Sequence, residues 1–485
     1  MRVRRHRERT IATLDETIGH GVERLVVRHH RRRLRRLDRL ACLDAPPGGY
    51  AAAEPPPRAG NAVEILLDGE NALPRMADEL ERARSHVHLA GWFFSPEFRL
   101  RPDGPGLRDV LAELAGRVDV RVLSWAGSPL PLFHPDRGQG RELREALTRG
   151  TKIQCALDSH ERPMHCHHEK LVIVDDRVAF VGGIDLTDYA GCRFDRRDHP
   201  ARDGIGWHDV AGRLEGPIVA DVAEHFRLRW EAVTGERAPE AAAGAEAGET
   251  EAQLVRTVPE RIYPALPRGD FRILESYLRA LRSAQRLVYL ENQFLWSPEI
   301  GDLLCEKLRR PPTDEFRLLV LLPARPNNGA DHTRGQLGRL VAADDGSGRF
   351  LACTLHQRGG VDPRPVYVHA KIGIVDDAWL TLGSANLNEH SLFNDTEVNV
   401  ASWEPRLARD TRLALWAEHL ECDVDDPRLL DPAKAFDDLW RPVAEEQLER
   451  RSAGHALTHR LLRLPHVSRR TAALRGPIDG LLVDG

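Results

Sequence analysis

Two short motifs in this 485-residue chain carry residue types that could do chemistry at fixed spacing. His168, Lys170 and Asp175 form one H-x-K-x(4)-D set, and His369, Lys371 and Asp376 form another. An imidazole has an unperturbed pKa near 6.5, so its surroundings can make it a base, a nucleophile or a proton donor. An ammonium two residues away could neutralise an anionic group in reach of that imidazole. The lysines are informative for a second reason. Of 69 basic side chains only five are lysine, and two of these are Lys170 and Lys371. Where arginine is the default, a lysine marks a place needing a compact charge on a flexible stem.

The elements around the motifs repeat as well. VHLAGWFFSPE from Val87 returns as VYLENQFLWSPE from Val288, and HEKLVIVDDRVAFVGGIDL from His168 returns as HAKIGIVDDAWLTLGSANL from His369. His88 and Tyr289, His168 and His369, Gly182 and Gly383, and Asp185 and Asn386 are all 201 residues apart. One offset shared by distant segments indicates tandem duplication. KLVIVDD and KIGIVDD read as short buried strands ended by an Asp-Asp turn, with AFVGG and LTLGS as return strands. Residues two apart on a strand share a face, so each histidine projects beside its lysine. Leu107–Arg117 and Ile300–Arg309 have helical apolar spacing. The expectation is two α/β lobes, each a mixed β-sheet flanked by helices, with the site at their interface.

Composition fixes the divisions. Residues 1–60 read as a basic arm, a candidate amphipathic helix near Leu34, Leu37 and Leu40, followed by a Pro/Gly/Ala linker from Ala45. A first lobe follows at 61–233, an Ala/Glu/Gly-rich linker at 234–253, a second lobe at 254–425 and a C-terminal extension at 426–485. A formal net charge of -5 gives no basic footprint for nucleic acid. Seven cysteines without C-x-x-C spacing suggest neither a disulfide framework nor a zinc site. No uncharged apolar run is long enough for a membrane span, and no secretory signal is recognisable. The expected compartment is therefore the cytoplasm, with the basic arm either solvated or touching anionic lipid at the inner membrane face.

The paired motifs, followed by G-G-x-D at 182–185 and G-S-x-N at 383–386, resemble the phospholipase D superfamily. YLENQF at 289–294, AGWFFSPE, GGIDL, WHDV at 207–210 and EGPIV extend the resemblance over most of 61–425. It implies metal-independent cleavage of a phosphodiester, without cofactor, through a phosphohistidine. It makes His168, Lys170, Asp175, His369, Lys371 and Asp376 the catalytic set, although Asp175 and Asp376 at their strand-to-turn junctions read as anchors. His168 would attack and His369 act as acid and base, the near symmetry of the lobes leaving the reverse open. Ser384 and Asn386 would donate to the phosphate, while Glu397 and Asp195 would orient the histidines. The departures are Asp185 opposite Asn386, His390 in place of an arginine and Phe194 in place of a tryptophan.

The implied function is hydrolysis or phosphatidyl transfer on a phospholipid, as in cardiolipin-type synthesis, by a monomer. A nuclease of the same superfamily is the competing enzyme, disfavoured by the near-neutral charge of the chain. A silent lipid- or phosphate-binding protein is the competing non-enzyme, disfavoured by two complete motifs. Outside the motifs, His165 and His167 read as polar loop residues and Trp92, Phe93 and Phe94 as core. Asn292 and Gln293 could either line a pocket or cap a strand.

Overall fold

A computed structural model describes residues 24–52, 54–130, 133–189, 194–199, 206–240, 244–327, 330–358 and 363–464. In the first lobe the strands are β1 (Arg58–Leu67), β2 (His86–Gly91), β3 (Asp119–Trp125), β4 (Gln154–Asp158), β5 (Leu171–Val174), β6 (Val178–Gly182), β7 (Gly206–His208) and β8 (Val210–Glu215). In the second they are β9 (Thr250–Val258), β10 (Asp270–Phe271), β11 (Leu287–Glu291), β12 (Arg317–Leu321), β13 (Phe350–His356), β14 (Pro365–Val368), β15 (Ile372–Val375), β16 (Trp379–Gly383), β17 (Glu397–Ser402) and β18 (Leu461–Arg463). The first sheet runs β4-β3-β2-β5-β6-β8-β1, parallel from β4 to β2 and antiparallel beyond. The second runs β13-β12-β11-β15-β16-β17-β9 with the same directions. The mixed α/β architecture expected from the repeat is therefore what the chain adopts, and the order of elements is duplicated with it.

Helices follow the same duplication. After α1 (residues 24–36) come α2 (Asp68–Glu81), α3 (Leu107–Leu114), α4 (Arg137–Thr148) and α5 (Ile218–Thr234). Their second-lobe counterparts are α6 (Arg272–Ser283), α7 (Pro298–Arg309), α8 (Ala330–Asp344) and α9 (Pro405–His419). Local sequence sets their ends. Asp136 caps α4 through a capping box with Gln139, and Ser297 caps α7 ahead of Pro298. Among the described residues no helix is long and apolar enough to cross a membrane.

The return turns explain the Asp-Asp pairs. Asp175, Asp176, Asp376 and Asp377 all have φ between 50° and 57°, the left-handed conformation these tight return turns need and aspartate tolerates. Both carboxylates at the first position point back along the strand. Asp175 accepts from the amides of Arg84, Ser85 and His86, and Asp376 from those of Gln285, Arg286 and Leu287. These motif aspartates are thus clamps at the end of the sheet away from the histidines. Their place in the catalytic set is corrected by that position.

The lobes meet through apolar side chains. Val398 and Val400 of β17 and Leu254 of β9 share one core cluster with Leu214, Ile218 and Phe226 of the first lobe. Gly212 of β8 lies against Leu382 of β16, where a Cβ would come within 3.1 Å of the leucine. Two proposed divisions shift at their edges. The linker at 234–253 ends early, because β9 starts at Thr250 and pairs with β17. The extension at 426–464 is part of the second lobe, since β18 adds an antiparallel edge strand to β13.

The N-terminal arm is also no free tether over its described part. Leu34 of α1 is fully buried in the second-lobe core with Cys42 and Leu43. The Arg33 guanidinium grips Glu260 at 2.6 Å and donates to the Phe393 carbonyl at 2.9 Å, while His30 meets Glu299 at 2.8 Å. Only the opposite face, with Arg28, Arg32, Arg35 and Arg36, is exposed. Residues 1–23 lie outside the described part. Leu34→Ala is expected to cost about 2–5 kcal/mol, the range for emptying a buried leucine site. Urea unfolding followed by circular dichroism measures it; a change within about 0.5 kcal/mol would show that α1 is not part of the cooperative core.

Candidate active site

The site forms where β5 and β15 begin, at the sheet ends opposite the Asp-Asp turns. His168 and Lys170 lie just before β5, and His369 and Lys371 just before β15, in the extended alternation that places each pair side by side. Lys170 Nζ donates to the His168 carbonyl at 2.7 Å, and Lys371 Nζ does the same to His369. Each histidine segment is then held by the opposite lobe. The His168 amide donates to Thr396 O at 3.0 Å, and the His369 amide to His208 O at 2.8 Å.

Those two acceptors precede the carboxylates that orient the rings. His168 Nδ1 lies 3.0 Å from Glu397 Oε1, and His369 Nδ1 lies 2.7 Å from Asp209 Oδ2. Each lobe therefore supplies the carboxylate for the other lobe's histidine. Asp209 and Glu397 are structural counterparts: Ala211 pairs with Gly182 as Asn399 pairs with Gly383, and each carboxylate stands two residues earlier. With Nδ1–H donated to a carboxylate, the Nε2 atom of either ring keeps its lone pair.

Burial sets the electrostatics. Both histidines are about 5% exposed. Burial, together with the nearby Lys371, Lys170 and His168 charges, pushes His369 well below the usual imidazole value. Lys371, Lys170 and His168 all act on the His369 ring, so the four groups lie close together. Burial also raises the Asp209 carboxyl, against the pull of Lys371. It raises Glu397 to about 8, with Lys170 opposing, and lowers Lys371 to about 8, with Asp209 opposing. The half-sites differ in one respect. Lys170 Nζ pairs with Asp185 Oδ2 at 3.0 Å, whereas the corresponding Asn386 donates to Gln293 Oε1 at 3.3 Å.

Two sequence assignments change here. Asp195 orients neither histidine; it is buried and accepts the Trp207 amide, fixing the backbone ahead of Asp209. Ser384 is no phosphate donor, because its hydroxyl is committed to Glu397 Oε2. Ser391 Oγ donates to Glu397 Oε1 at 2.6 Å, so two hydroxyls cradle this carboxylate. Asp209 and Ser391 were missed. WHDV was recognisable as a motif, but Asp209 and Glu397 are 188 residues apart, so the 201-residue offset does not connect them. The longer first-lobe connection between β6 and β8 absorbs the difference.

Several neighbours take settled places. His167 is buried, with Nε2 3.1 Å from Asp158 and Nδ1 against Thr396 Oγ1, and His165 Nδ1 meets His390 Nδ1 at 2.9 Å. Trp92, Phe93 and Phe94 belong to the first-lobe core. Asn292 Oδ1 accepts the Phe294 and Leu387 amides, a capping role, while Gln293 bridges Asn386 to the Tyr367 hydroxyl.

A family model described as Phospholipase D matches residues 361–451, the stretch containing the second motif. Among curated proteins, Phospholipase D A of Dictyostelium discoideum is 23% identical over 75% of this chain and 36% of its own length. Phospholipase D alpha 1 of Zea mays is 24% identical over 81% of this chain and 70% of its own. The chain thus spans about a third of the length of the first of these relatives. Phosphatidylserine synthase of Haemophilus influenzae Rd KW20 aligns structurally with a TM-score of 0.49 and 11% identity, over 77% of this chain and 87% of that one. The matched second-motif stretch and the similarity to curated phospholipases D support a place for this chain in the phospholipase D superfamily.

Proposed function

We propose that this protein cleaves or transfers the phosphodiester of a phospholipid through a phosphohistidine intermediate. The observation that carries the reading is the pair of crossed histidine–carboxylate dyads, with a lysine beside each. The atoms divide the labour. His168 Nε2 attacks phosphorus, while Lys170 and Lys371 draw off charge from the non-bridging oxygens. His369, protonated in the complex with the anionic substrate, gives its proton to the leaving alkoxide and then activates the incoming water or alcohol. His168 is the nucleophile in this reading by the resemblance of its motif to the first motif of the superfamily, and Glu397, held by two serine hydroxyls, orients its ring.

The test is chemical. Purified protein is incubated with phosphatidylcholine and phosphatidylglycerol vesicles, with and without ethanol, and in parallel with single-stranded DNA. Phosphatidic acid, or phosphatidylethanol when ethanol is present, is the expected product. Cleavage of DNA alone would transfer the reading to a nuclease, and silence towards every phosphodiester with intact vesicle binding would make it a binding protein. The exposed arginine face of α1 supports contact with anionic lipid; neutralising Arg28, Arg32, Arg35 and Arg36 should weaken binding to phosphatidylglycerol vesicles at low salt.

The pH profile follows from the two groups near 8. Glu397 must be ionised to take the His168 Nδ1 proton, so kcat/KM should rise with pH towards about 8. Lys371 in the free protein loses its charge above about 8, so the rate should then fall. Glu397→Gln should lower kcat/KM by about 10–100-fold and abolish the rising limb. A rising limb of unchanged midpoint in that variant would assign it to another group.

A further inference from the structure

Behind the Asp209–His369 pair lies a second cluster that the proposed reaction does not use. Asp68 at the β1–α2 junction, His199, His208 of β7 and Glu418 of α9 are all at most 4% exposed, and one donor atom from each lies within 4.8 Å of all the others. His199 Nε2 stands 3.4 Å from Asp68 Oδ2 and 3.5 Å from Glu418 Oε1. His208 Nδ1 stands 3.4 Å from Glu418 Oε1 and 3.0 Å from Asp68 Oδ1. Among the described residues, neither ring nitrogen of His199 makes a hydrogen bond, nor do Asp68 Oδ2 and Glu418 Oε1. Buried polar atoms are normally satisfied, so three of these facing one another, His199 Nε2, Asp68 Oδ2 and Glu418 Oε1, require an explanation.

The spacing supplies one. Direct N–H···O bonds favour about 2.9 Å. Four donors each about 2.0–2.1 Å from a central tetrahedral ion are separated instead by roughly 3.3–3.4 Å. Three of the four contacts have that longer spacing. The support around the donors is also of the kind a metal site needs. His208 Nε2 is fixed by Glu291 Oε2 at 2.8 Å, leaving Nδ1 directed at the cluster, and the other Glu291 oxygen is held by His419 Nε2 at 2.9 Å. Asp195 Oδ1 lies 4.0 Å from His199 Nδ1. The carboxylates Asp68, Glu418 and Glu291 put three negative charges into a buried space, which a divalent cation would offset.

We propose that Asp68, His199, His208 and Glu418 form a closed structural site for one zinc-class divalent cation. A two-imidazole, two-carboxylate set suits that class, and four protein ligands leave no open position for substrate. The cation would pin the first lobe, through Asp68, His199 and His208, to α9 of the second. It would do so next to Asp209, whose neighbour His208 accepts the His369 and Ala370 amides at 2.8 and 3.2 Å. The absence of C-x-x-C spacing in the sequence does not bear on such a site, because its ligands come from four separate elements.

The full chain, stripped with chelator and dialysed against Zn²⁺, is expected to retain one zinc per chain by elemental analysis. With Co²⁺ it should show the intense visible absorption of tetrahedral coordination, and zinc should raise the thermal midpoint. His199→Ala and Glu418→Gln, each checked for a native circular dichroism spectrum, should bind zinc more than about 10-fold more weakly, whereas His168→Ala should bind it unchanged. If either variant fails to fold, the wild-type cobalt spectrum and stoichiometry decide. A wild type that holds no zinc or cobalt, or variants that bind both as tightly as wild type, would overturn the proposal.

Discussion

Alanine in place of His168 is expected to lower kcat/KM on a phosphatidylcholine substrate by about 10⁴-fold or more, with the fold intact. The ring supplies the nucleophilic Nε2, and nothing described nearby can replace it. His369→Ala should cost at least about 10²–10⁴-fold, because the leaving alkoxide then departs without a proton. The two losses are distinguishable. A substrate with a good leaving group, such as a p-nitrophenyl phosphodiester, needs little protonation and should recover most of the His369→Ala rate. It should recover none of the His168→Ala rate. The reverse pattern would exchange the two roles, which the near symmetry of the half-sites makes a meaningful outcome. The double variant should be no worse than about the poorer single one, since both residues serve one reaction sequence.

Removing the lysine charges is the next largest expected effect. Lys371→Met should reduce kcat by about 10²–10³-fold, the usual loss when one preorganised donor to a developing anion is deleted. Lys170→Met should cost less, because Asp185 lies 3.0 Å from Lys170 and already offsets part of its charge. Arginine should not rescue either position. A planar guanidinium cannot reach the same point while leaving room for the phosphate, and each ammonium also donates to the carbonyl of its own histidine. Steady-state rates for the four single variants test this. A Lys371→Arg enzyme within about threefold of wild type would show that only net charge matters.

Some of this was legible in the sequence for a physical reason. Strand geometry is local: alternation alone placed His168 beside Lys170 and His369 beside Lys371. The constant 201-residue offset announced duplicated lobes, and the scarcity of lysine singled out two ammonium groups. The Asp-Asp turns were readable too, since aspartate tolerates the positive φ they require. The N-terminal basic segment was less legible. Its arginines suggested a solvated arm, yet the buried Leu34 and the Arg33–Glu260 pair dock it on the second lobe.

By itself, then, the sequence determined the duplication, the paired His/Lys sets and the chemistry those groups can perform. Only the tertiary structure decided which carboxylate meets which histidine, that Ser384 serves Glu397, and that Asp195 steadies the backbone before Asp209. It also brought Asp68, His199, His208 and Glu418 together. These are contacts between segments about 130 to 350 residues apart, or between side chains whose register depends on an unequal loop. Local periodicity carries no information about them; they are fixed when the two sheets pack and exchange their carboxylates across the interface.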